Sequence, residues 1–264
     1  MANFTAKDVQ TLRQSTGAGM LDAKRALEES DGDMEQAAQW LREKGLAGAA
    51  KRSDRDASQG AVAVVRDGNV AGIVELRSET DFVAKAPEFV AMADELAALV
   101  VAKGDGAVAE RQDDVDRLRT TLQENISVGR VARVEAGEGE TLDTYLHQQA
   151  GRGVNAVIVL LRGGTAELAH DIALHIAFAK PAYLSRDEVP ADEVAAERVT
   201  IEAISRNEGK PEAALPKIVE GRLGGWFKDR VLLEQSFARD EKQSITGMLG
   251  SAEVIRFVQV VIGS

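Results

Sequence analysis

The sequence predicts an α+β protein in which three short helices precede a two-part core of strands and helices, with an antiparallel helical hairpin inserted late in the core. The first observation is helical periodicity through the first 50 residues. The second is a strand–strand–helix pattern that occurs twice, and the third is a pair of helical segments separated by the turn at 209–211. Because a sheet and its helix each need an apolar cover, two such units sharing one core are the economical arrangement.

The N-terminal segment reads as three helices with recognisable ends. Thr5 and Asp8 match a capping box, and the glycine turn at 16–19 ends the first helix. The second helix runs to the turn at 30–32, and the third ends at Gly45. Helices this short predict a small module with a thin core.

Composition divides the chain into four parts. The three-helix module covers residues 1–52, and a polar linker over 53–60 predicts that the module can move relative to the rest. The two halves of the core cover 61–140 and 141–264, and the second carries the hairpin insertion at about 186–226.

The first core half begins with two apolar, β-branched runs at 61–65 and 70–76. The Asp-Gly pair between them predicts a hairpin, because glycine tolerates positive φ. Pro87 then suits a first helical turn, and the helix ends at Lys103-Gly104. The segment 79–85 therefore lies where a strand gives way to a helix.

The remaining elements follow the same periodicities. They are a helix around 115–122, strands at 128–134, 141–147 and 154–161, a turn at 163–164, a helix ending before Pro181, hairpin helices from 185 to about 208 and from Pro216, a short helix at 245–249 and a strand at 254–262.

The charge and residue content exclude several classes of function. A net charge of −11 repels polyphosphate, so a protein partner is predicted rather than direct nucleic-acid binding. The chain has no cysteine, which excludes disulfides, thiolate metal sites and a cysteine nucleophile. Neither a signal peptide nor a membrane span is recognisable, so we expect a cytoplasmic protein without a membrane partner.

No catalytic constellation emerges from the residue pattern. His170 and His175 lie five apart, which is wrong for a helical metal pair, whereas a contact role for His147 stays open. The glycine-rich segments lack phosphate-binding fingerprints. We therefore predict no enzyme activity, no metal and no cofactor.

The pair Asp81 and Phe82 has two interpretations. From the local pattern, an N-capping aspartate followed by a core phenylalanine is favoured. The alternative is an exposed aromatic side chain that contacts another protein. Composition and spacing alone favour the first interpretation.

The letters of the sequence nevertheless match a known family. The matching motifs, which cover essentially the whole chain in order, are Leu12-Arg13, Thr16-Gly17-Ala18-Gly19-Met20, Asp22, Lys24, Ala26-Leu27, Thr80-Asp81-Phe82-Val83-Ala84-Lys85, Asn125-Ile126, Arg130-Val131, Tyr145, His147, Lys180-Pro181, Gly209-Lys210-Pro211, Val219-Glu220-Gly221-Arg222 and Arg256-Phe257. In these motifs the chain resembles bacterial elongation factor Ts.

The resemblance implies a fold and an activity. It implies a module like a ubiquitin-associated domain, a two-part α+β core and an inserted helical hairpin. It also implies a guanine-nucleotide exchange factor that binds elongation factor Tu, in its GDP-bound and nucleotide-free states, and promotes GDP release so that GTP can bind.

The resemblance also assigns contact residues by position. They are Thr80, Asp81, Phe82 and Val83 beside the partner's Mg²⁺ and nucleotide site, Arg13, Met20 and Leu21 on the N-terminal module, and Asn125, Ile126 and His147 on the core's contact surface. Under this reading Phe82 is exposed, and its ring enters the partner.

Other functions are retained as alternatives. A plain adaptor would use the three-helix module to bind a partner without changing its nucleotide state, and an enzyme would need a phosphate cradle that the sequence lacks. The sequence leaves open whether the chain forms a homodimer or a 2:2 complex with its partner.

Overall fold

The computed structural model describes residues 3–52 and 54–263, and of residues 46–52 it describes the backbone only. Residues 1–2, 53 and 264, at the edges of the predicted module, linker and core, lie outside the described residues. The helices are α1 (Ala6–Thr16), α2 (Met20–Glu29), α3 (Met34–Arg52), α4 (Asp81–Ala84), α5 (Pro87–Lys103), α6 (Gln112–Leu122), α7 (Ala166–Ala179), α8 (Ala191–Asn207), α9 (Leu215–Arg230) and α10 (Ile245–Leu249). The strands are β1 (Gln59–Asp67), β2 (Val70–Ser78), β3 (Ser127–Glu135), β4 (Glu140–Gln149), β5 (Arg152–Arg162), β6 (Ser236–Phe237), β7 (Asp240–Ser244) and β8 (Glu253–Val261).

Two antiparallel three-stranded sheets form the core, with strand orders β1-β2-β3 and β4-β5-β8. The predicted repeat is present, since β1, β2 and α5 in the first half match β4, β5 and α7 in the second. The predicted α+β class, with helices followed by a core of sheets and helices, is confirmed.

Strand β5 explains how the halves share a core. Val157 and Val159 pack with Ile172 of α7, whereas the alternate residues Ala156 and Ile158 pack against the other sheet. Since successive side chains of a strand point to opposite faces, a continuous apolar run is what a strand buried on both faces requires. The core therefore has four layers: α5, the first sheet, the second sheet and α7.

The two sheets come closest where β1 meets β5. A Cβ atom at Gly153 would lie 2.1 Å from the carbonyl oxygen of Val62, so this approach requires glycine. An ion pair between Arg66 and Asp143, with a nitrogen–oxygen distance of 3.3 Å, also joins the halves.

The N-terminal module keeps the predicted helix boundaries except at the end of α3. The Thr5–Asp8 capping box is present, and Gly17 adopts the left-handed conformation at φ 70°. Gly45 does not end the third helix, which runs on to Arg52. A Cβ atom at Gly45 would lie 2.4 Å from the Thr120 side chain, so this glycine lets α3 pack on α6.

The linker is shorter than the sequence predicts. Helix α3 ends at Arg52, just before the predicted linker, but β1 already begins at Gln59 rather than after residue 60. The module rests against the core, where α3 faces α6 and Arg42 lies 3.9 Å from Asp113.

The hairpin helices α8 and α9 flank the predicted turn, but α9 continues to Arg230, beyond the predicted end at 226. The extension follows from apolar anchors, because Phe227 and Val231 are buried at the base of the hairpin. Along α8 the exposed side chains include Val199 and Ile204, in agreement with a helix that projects from the body.

Two small elements carry no clear sequence signal. One is the two-stranded hairpin of β6 and β7, whose second strand is exposed throughout, and the other is the single turn of α4. Among the described helices, none is both long enough and apolar enough to cross a membrane.

Candidate functional site

The segment between β2 and α5 contains the one-turn helix α4, which begins at Asp81 and is separated by two residues from the end of the strand at Ser78. Thr80 precedes it with extended backbone, and its Oγ1 accepts a hydrogen bond from the Val83 N–H at 3.3 Å. Thr80 is therefore the N-cap, and the interpretation of Asp81 as the cap is wrong. Asp81 instead occupies the first turn, where a negative charge favours the helix dipole.

Phe82 points away from the core. Its side chain is 83% exposed, whereas Ala84 is buried and Val83 packs partly against the core. Because successive helical residues point about 100° apart, one turn can bury two neighbours and present the third. The expectation of a core phenylalanine is wrong, since Val83 and Ala84 occupy the inward positions.

Lys85 contacts both members of the pair. Its Nζ lies 2.5 Å from the Asp81 Oδ2 and 5.9 Å from the centre of the Phe82 ring. The hydrogen bond from Lys85 lowers the pKa of the Asp81 carboxyl. Asp81 is therefore ionised at neutral pH, and the lysine holds the carboxylate beside the exposed ring.

Glu124, which the sequence did not single out, fixes the start of the turn. Its Oε2 accepts the backbone N–H groups of Glu79 at 3.1 Å and Thr80 at 3.0 Å, and its Oε1 accepts the Thr80 hydroxyl at 2.5 Å. Backbone N–H groups that point at a carboxylate form strong, charge-assisted hydrogen bonds. The turn that presents Phe82 is thus held from 44 residues away in sequence.

Glu79, in the β2–α4 junction, accepts a similar hydrogen bond in the opposite direction, from the segment that contains Glu124. Its Oε1 accepts the backbone N–H of Asn125 at 2.7 Å, so the β2–α4 junction and the loop before β3 hold each other. The Asn125 side chain donates to the carbonyl of Arg55 at 2.8 Å, and Arg119 donates to the carbonyl of Ile126 at 2.9 Å.

Asn125 and Ile126 were expected on a contact surface, but the structure places both in the interior. Asn125 is buried and Ile126 is completely buried in the core of the first half. Their neighbours in the fold are the residues of the Phe82 turn, so they support that turn from within. The preceding residue, Glu124, supplies the carboxylate that holds it.

His147 is exposed on β4, which continues to Gln149 rather than ending at the histidine. The hydroxyl of Tyr145 lies 3.5 Å from its Nδ1. The two-residue turn that follows β4 brings Gln149 and Arg152 to a cleft that Asp81 and Phe82 also line. The end of strand β4 therefore lies beside the Phe82 turn.

The predicted contact residues of the N-terminal module are also exposed. Met20 and Leu21 begin α2 directly after the glycine turn, and Leu21 is 82% exposed. Arg13 lies exposed in the last turn of α1, and its carbonyl accepts the Gly17 N–H at 2.9 Å. Two large apolar side chains without cover form a surface suited to another protein.

The other two histidines have structural partners. His170 Nδ1 lies 2.9 Å from Asp143, and buried His175 bonds to Gln235. Within the ranges 3–52 and 54–263, no group of three or more metal-ligating side chains could hold an ion.

Comparisons with known proteins agree with the motifs. A family model described as Elongation factor TS matches residues 79–264. The chain is 47% identical to elongation factor Ts of Clavibacter michiganensis subsp. michiganensis over the whole of both chains. It is 46% identical to elongation factor Ts of Kineococcus radiotolerans over 96% of each chain. It is also 46% identical to elongation factor Ts of Mycobacterium ulcerans over 100% of this chain and 99% of the other.

Proposed function

This chain belongs to the elongation factor Ts family, and from that membership we propose that it is a guanine-nucleotide exchange factor for elongation factor Tu. It binds the GDP-bound and the nucleotide-free partner and speeds the release of GDP, so that GTP can take its place. It performs no covalent chemistry and needs no cofactor.

The observation that carries this proposal is the exposed ring of Phe82 on a turn whose start is fixed by hydrogen bonds to Glu124. Fully burying a phenylalanine is worth about 1.5–3 kcal/mol, and this ring has no cover in the free chain. Because Glu124 and Thr80 already order the backbone, little conformational entropy is lost when the ring inserts into a partner. Phe82 is the anchor of the proposed interface.

Asp81 would act together with the ring. Its carboxylate is ionised and lies next to Phe82, so inserting the ring carries a negative charge toward the partner's Mg²⁺ and phosphates. A negative charge repels phosphate and competes for the cation. The pair thereby displaces the Mg²⁺-binding region of the nucleotide site.

Linkage gives the thermodynamic form of this action. If the chain weakens the partner's affinity for GDP by some factor, GDP must weaken the partner's affinity for the chain by the same factor. The binding energy of Phe82 is thus used to favour a partner conformation with disturbed nucleotide contacts.

The other predicted site residues lie in different parts of the chain and have different proposed roles in partner binding. Arg13, Met20 and Leu21 dock the module of residues 1–52, and His147 adds a contact from the second core half, residues 141–264. In the first half, residues 61–140, buried Asn125 and Ile126 act by supporting the turn.

The proposal also covers partners and location. The net charge of −11 opposes direct contact with nucleic acid, and the role in translation elongation implies a cytoplasmic protein without a membrane partner. Homodimers and 2:2 complexes with elongation factor Tu are both compatible with it.

Release of a fluorescent GDP analogue from elongation factor Tu tests the proposal. Adding one equivalent of the chain should speed release several-fold or more in the presence of excess unlabelled GDP. The adaptor alternative predicts binding with an unchanged release rate, and that result would reject the exchange function.

A further inference from the structure

A surface cleft of about 550 Å³ opens directly beside the Phe82 turn. Asp81 and Lys85 of the turn form one side, and Arg152, with Gln149 and Gln59, forms the other. The cleft joins the two core halves, because Arg152 begins β5 whereas Lys85 follows α4. The roles proposed above do not involve the side of the cleft formed by Arg152, Gln149 and Gln59.

Arg152 is the unusual member of this cleft. Its side chain is only 8% exposed. The guanidinium donates through Nη1 to the carbonyl of Gly60 and, at 3.4 Å, through Nη2 to the Gln59 Oε1. Its Nε is buried without a hydrogen-bond partner, so the group uses two of its five N–H donors on the protein.

The charges around the cleft leave this cation uncompensated. Asp81 is ion-paired with Lys85 at 2.5 Å, and Glu79 is ion-paired with Arg55 at 3.5 Å. Within the described part of the chain, Arg152 has no carboxylate at ion-pair distance. Burial lowers the pKa of the Arg152 guanidinium, and the more distant charge of Asp81 offsets this only in part. A buried charge is costly unless an opposite charge accompanies it.

We propose that the Arg152 cleft is a carboxylate-binding site, and that its occupant in the complex is an acidic side chain of the protein partner. A planar carboxylate matches the fork of a guanidinium, and the side-chain amides of Gln59 and Gln149 offer further donors. The inference rests on the proposed function, since that partner is the protein that covers Phe82.

A phosphate group fits the cleft less well than a carboxylate. The carboxylates of Asp81 and Glu79 line the same cleft, but each already has a cationic partner, so Arg152 offers one uncompensated positive charge, whereas a phosphate group carries up to two negative charges. One uncompensated cation balances one carboxylate. The site therefore recognises an aspartate or glutamate, and not the nucleotide.

Dissociation constants for nucleotide-free elongation factor Tu, measured at several salt concentrations, test this site. Removing the cation of a buried, hydrogen-bonded charge pair is expected to weaken binding about 30-fold for Arg152→Met, with a shallower salt dependence. Arg152→Lys keeps the charge but loses the planar fork, so it should bind more weakly than the parent and more tightly than Arg152→Met, with the salt dependence of the parent. The control is Arg162→Met, which removes an exposed arginine from the other end of β5 and should leave the dissociation constant unchanged.

The outcomes separate the possible roles. If folded Arg152→Met binds like the parent with the same salt dependence, the site does not exist. If Arg152→Met and Arg152→Lys both bind weakly with the salt dependence of the parent, the guanidinium only ties β5 to β1, and the inference is overturned. Parent chain that does not speed GDP release would instead reject the proposed function, whatever the variants do.

Discussion

At the scale of single residues, the Thr80–Val83 turn contains residues that anchor it to the core and one residue, Phe82, that faces solvent. Thr80 caps the turn, and Val83 with Ala84 faces the core, which leaves Phe82 as the outward residue. Glu124 then fixes the backbone before the turn by accepting hydrogen bonds from two successive N–H groups. An exposed ring on an ordered backbone is a surface that binds without first having to fold.

Glu124→Gln tests that description. The substitution replaces one carboxylate oxygen by an NH₂ group, which cannot accept the Thr80 hydroxyl or the two backbone N–H groups as the carboxylate does. We expect the free energy of unfolding to fall by about 1–2 kcal/mol, as measured by urea denaturation. GDP release should also slow although Phe82 is intact.

The matched control for that variant is Glu138→Gln, at an exposed position of the β3–β4 connection. It should change neither stability nor exchange. Equal behaviour of the Glu124 and Glu138 variants would show that the Glu124 carboxylate does not order the turn.

His175 predicts a pH dependence of stability. Its Nδ1 accepts the Ala238 N–H at 3.2 Å, so its Nε2 carries the proton donated to Gln235 at 2.9 Å. Burial lowers the pKa of this imidazole, and charging it would break the bond from Ala238. The unfolded chain therefore takes up the proton first as the pH falls, and the free energy of unfolding decreases below about pH 6.5.

Urea denaturation between about pH 7.5 and 5.5 checks this sign. The parent should lose more stability over this window than His175→Gln, which cannot take up the proton. Identical pH dependence in the two proteins would mean that His175 is not held neutral by the fold.

At the scale of elements, periodicity was enough to predict most helices and strands. It failed where a contact with residues distant in sequence determines the local structure. The capping box at Thr5 and the double-sided apolar run of β5 are local signals, so the sequence contained them. Gly45 resembles a helix stop until the approach of α6 is known. Likewise, nothing near Glu124 indicates that its carboxylate caps residues 44 positions away.

The candidate site likewise contains features that the sequence predicts and features that depend on packing. Local pattern favoured a buried Phe82, because it contains no information that Val83 and Ala84 occupy the core side of α4. The family resemblance reversed that preference, but it also placed Ile126 on a surface, and the fold buries it. Burial depends on the packing of several elements at once, which a linear motif does not encode.

The β4–β5 turn offers a test at this scale. Ala150 and Gly151 both have positive φ, at 52° and 81°, in the two-residue connection between the strands. Such turns favour Asn-Gly, since a left-handed conformation costs a residue with a Cβ atom about 1–2 kcal/mol, whereas asparagine tolerates it. Ala150→Asn should therefore raise the free energy of unfolding by about 1 kcal/mol in urea denaturation.

An unchanged or lower stability of Ala150→Asn would contradict the turn geometry. Because Ala150 lines the Arg152 cleft, the variant also reports whether a stiffer turn changes partner binding without removing a charge.

At the scale of the whole molecule, the two core halves are fastened to each other on both sides of the sheet interface. Arg152 of the second half donates to Gly60 of the first, and Arg130 of the first donates to the carbonyl of Val261 at 2.9 Å. The absence of a side chain at Gly153 lets β1 and β5 approach. The core can thus act as one rigid support, which holds His147 and Phe82, the residues proposed to contact the partner, at a fixed spacing.

The most direct test of the account compares GDP release from elongation factor Tu with the parent chain, Phe82→Ala and Phe178→Ala. Phe178 is the matched control because it is 78% exposed at the end of α7, so both variants remove an uncovered ring. Loss of about 2 kcal/mol predicts that Phe82→Ala slows the accelerated release roughly 30-fold at limiting concentration. Phe178→Ala should match the parent, and a Phe82→Ala chain that releases GDP as fast as the parent would contradict the central claim.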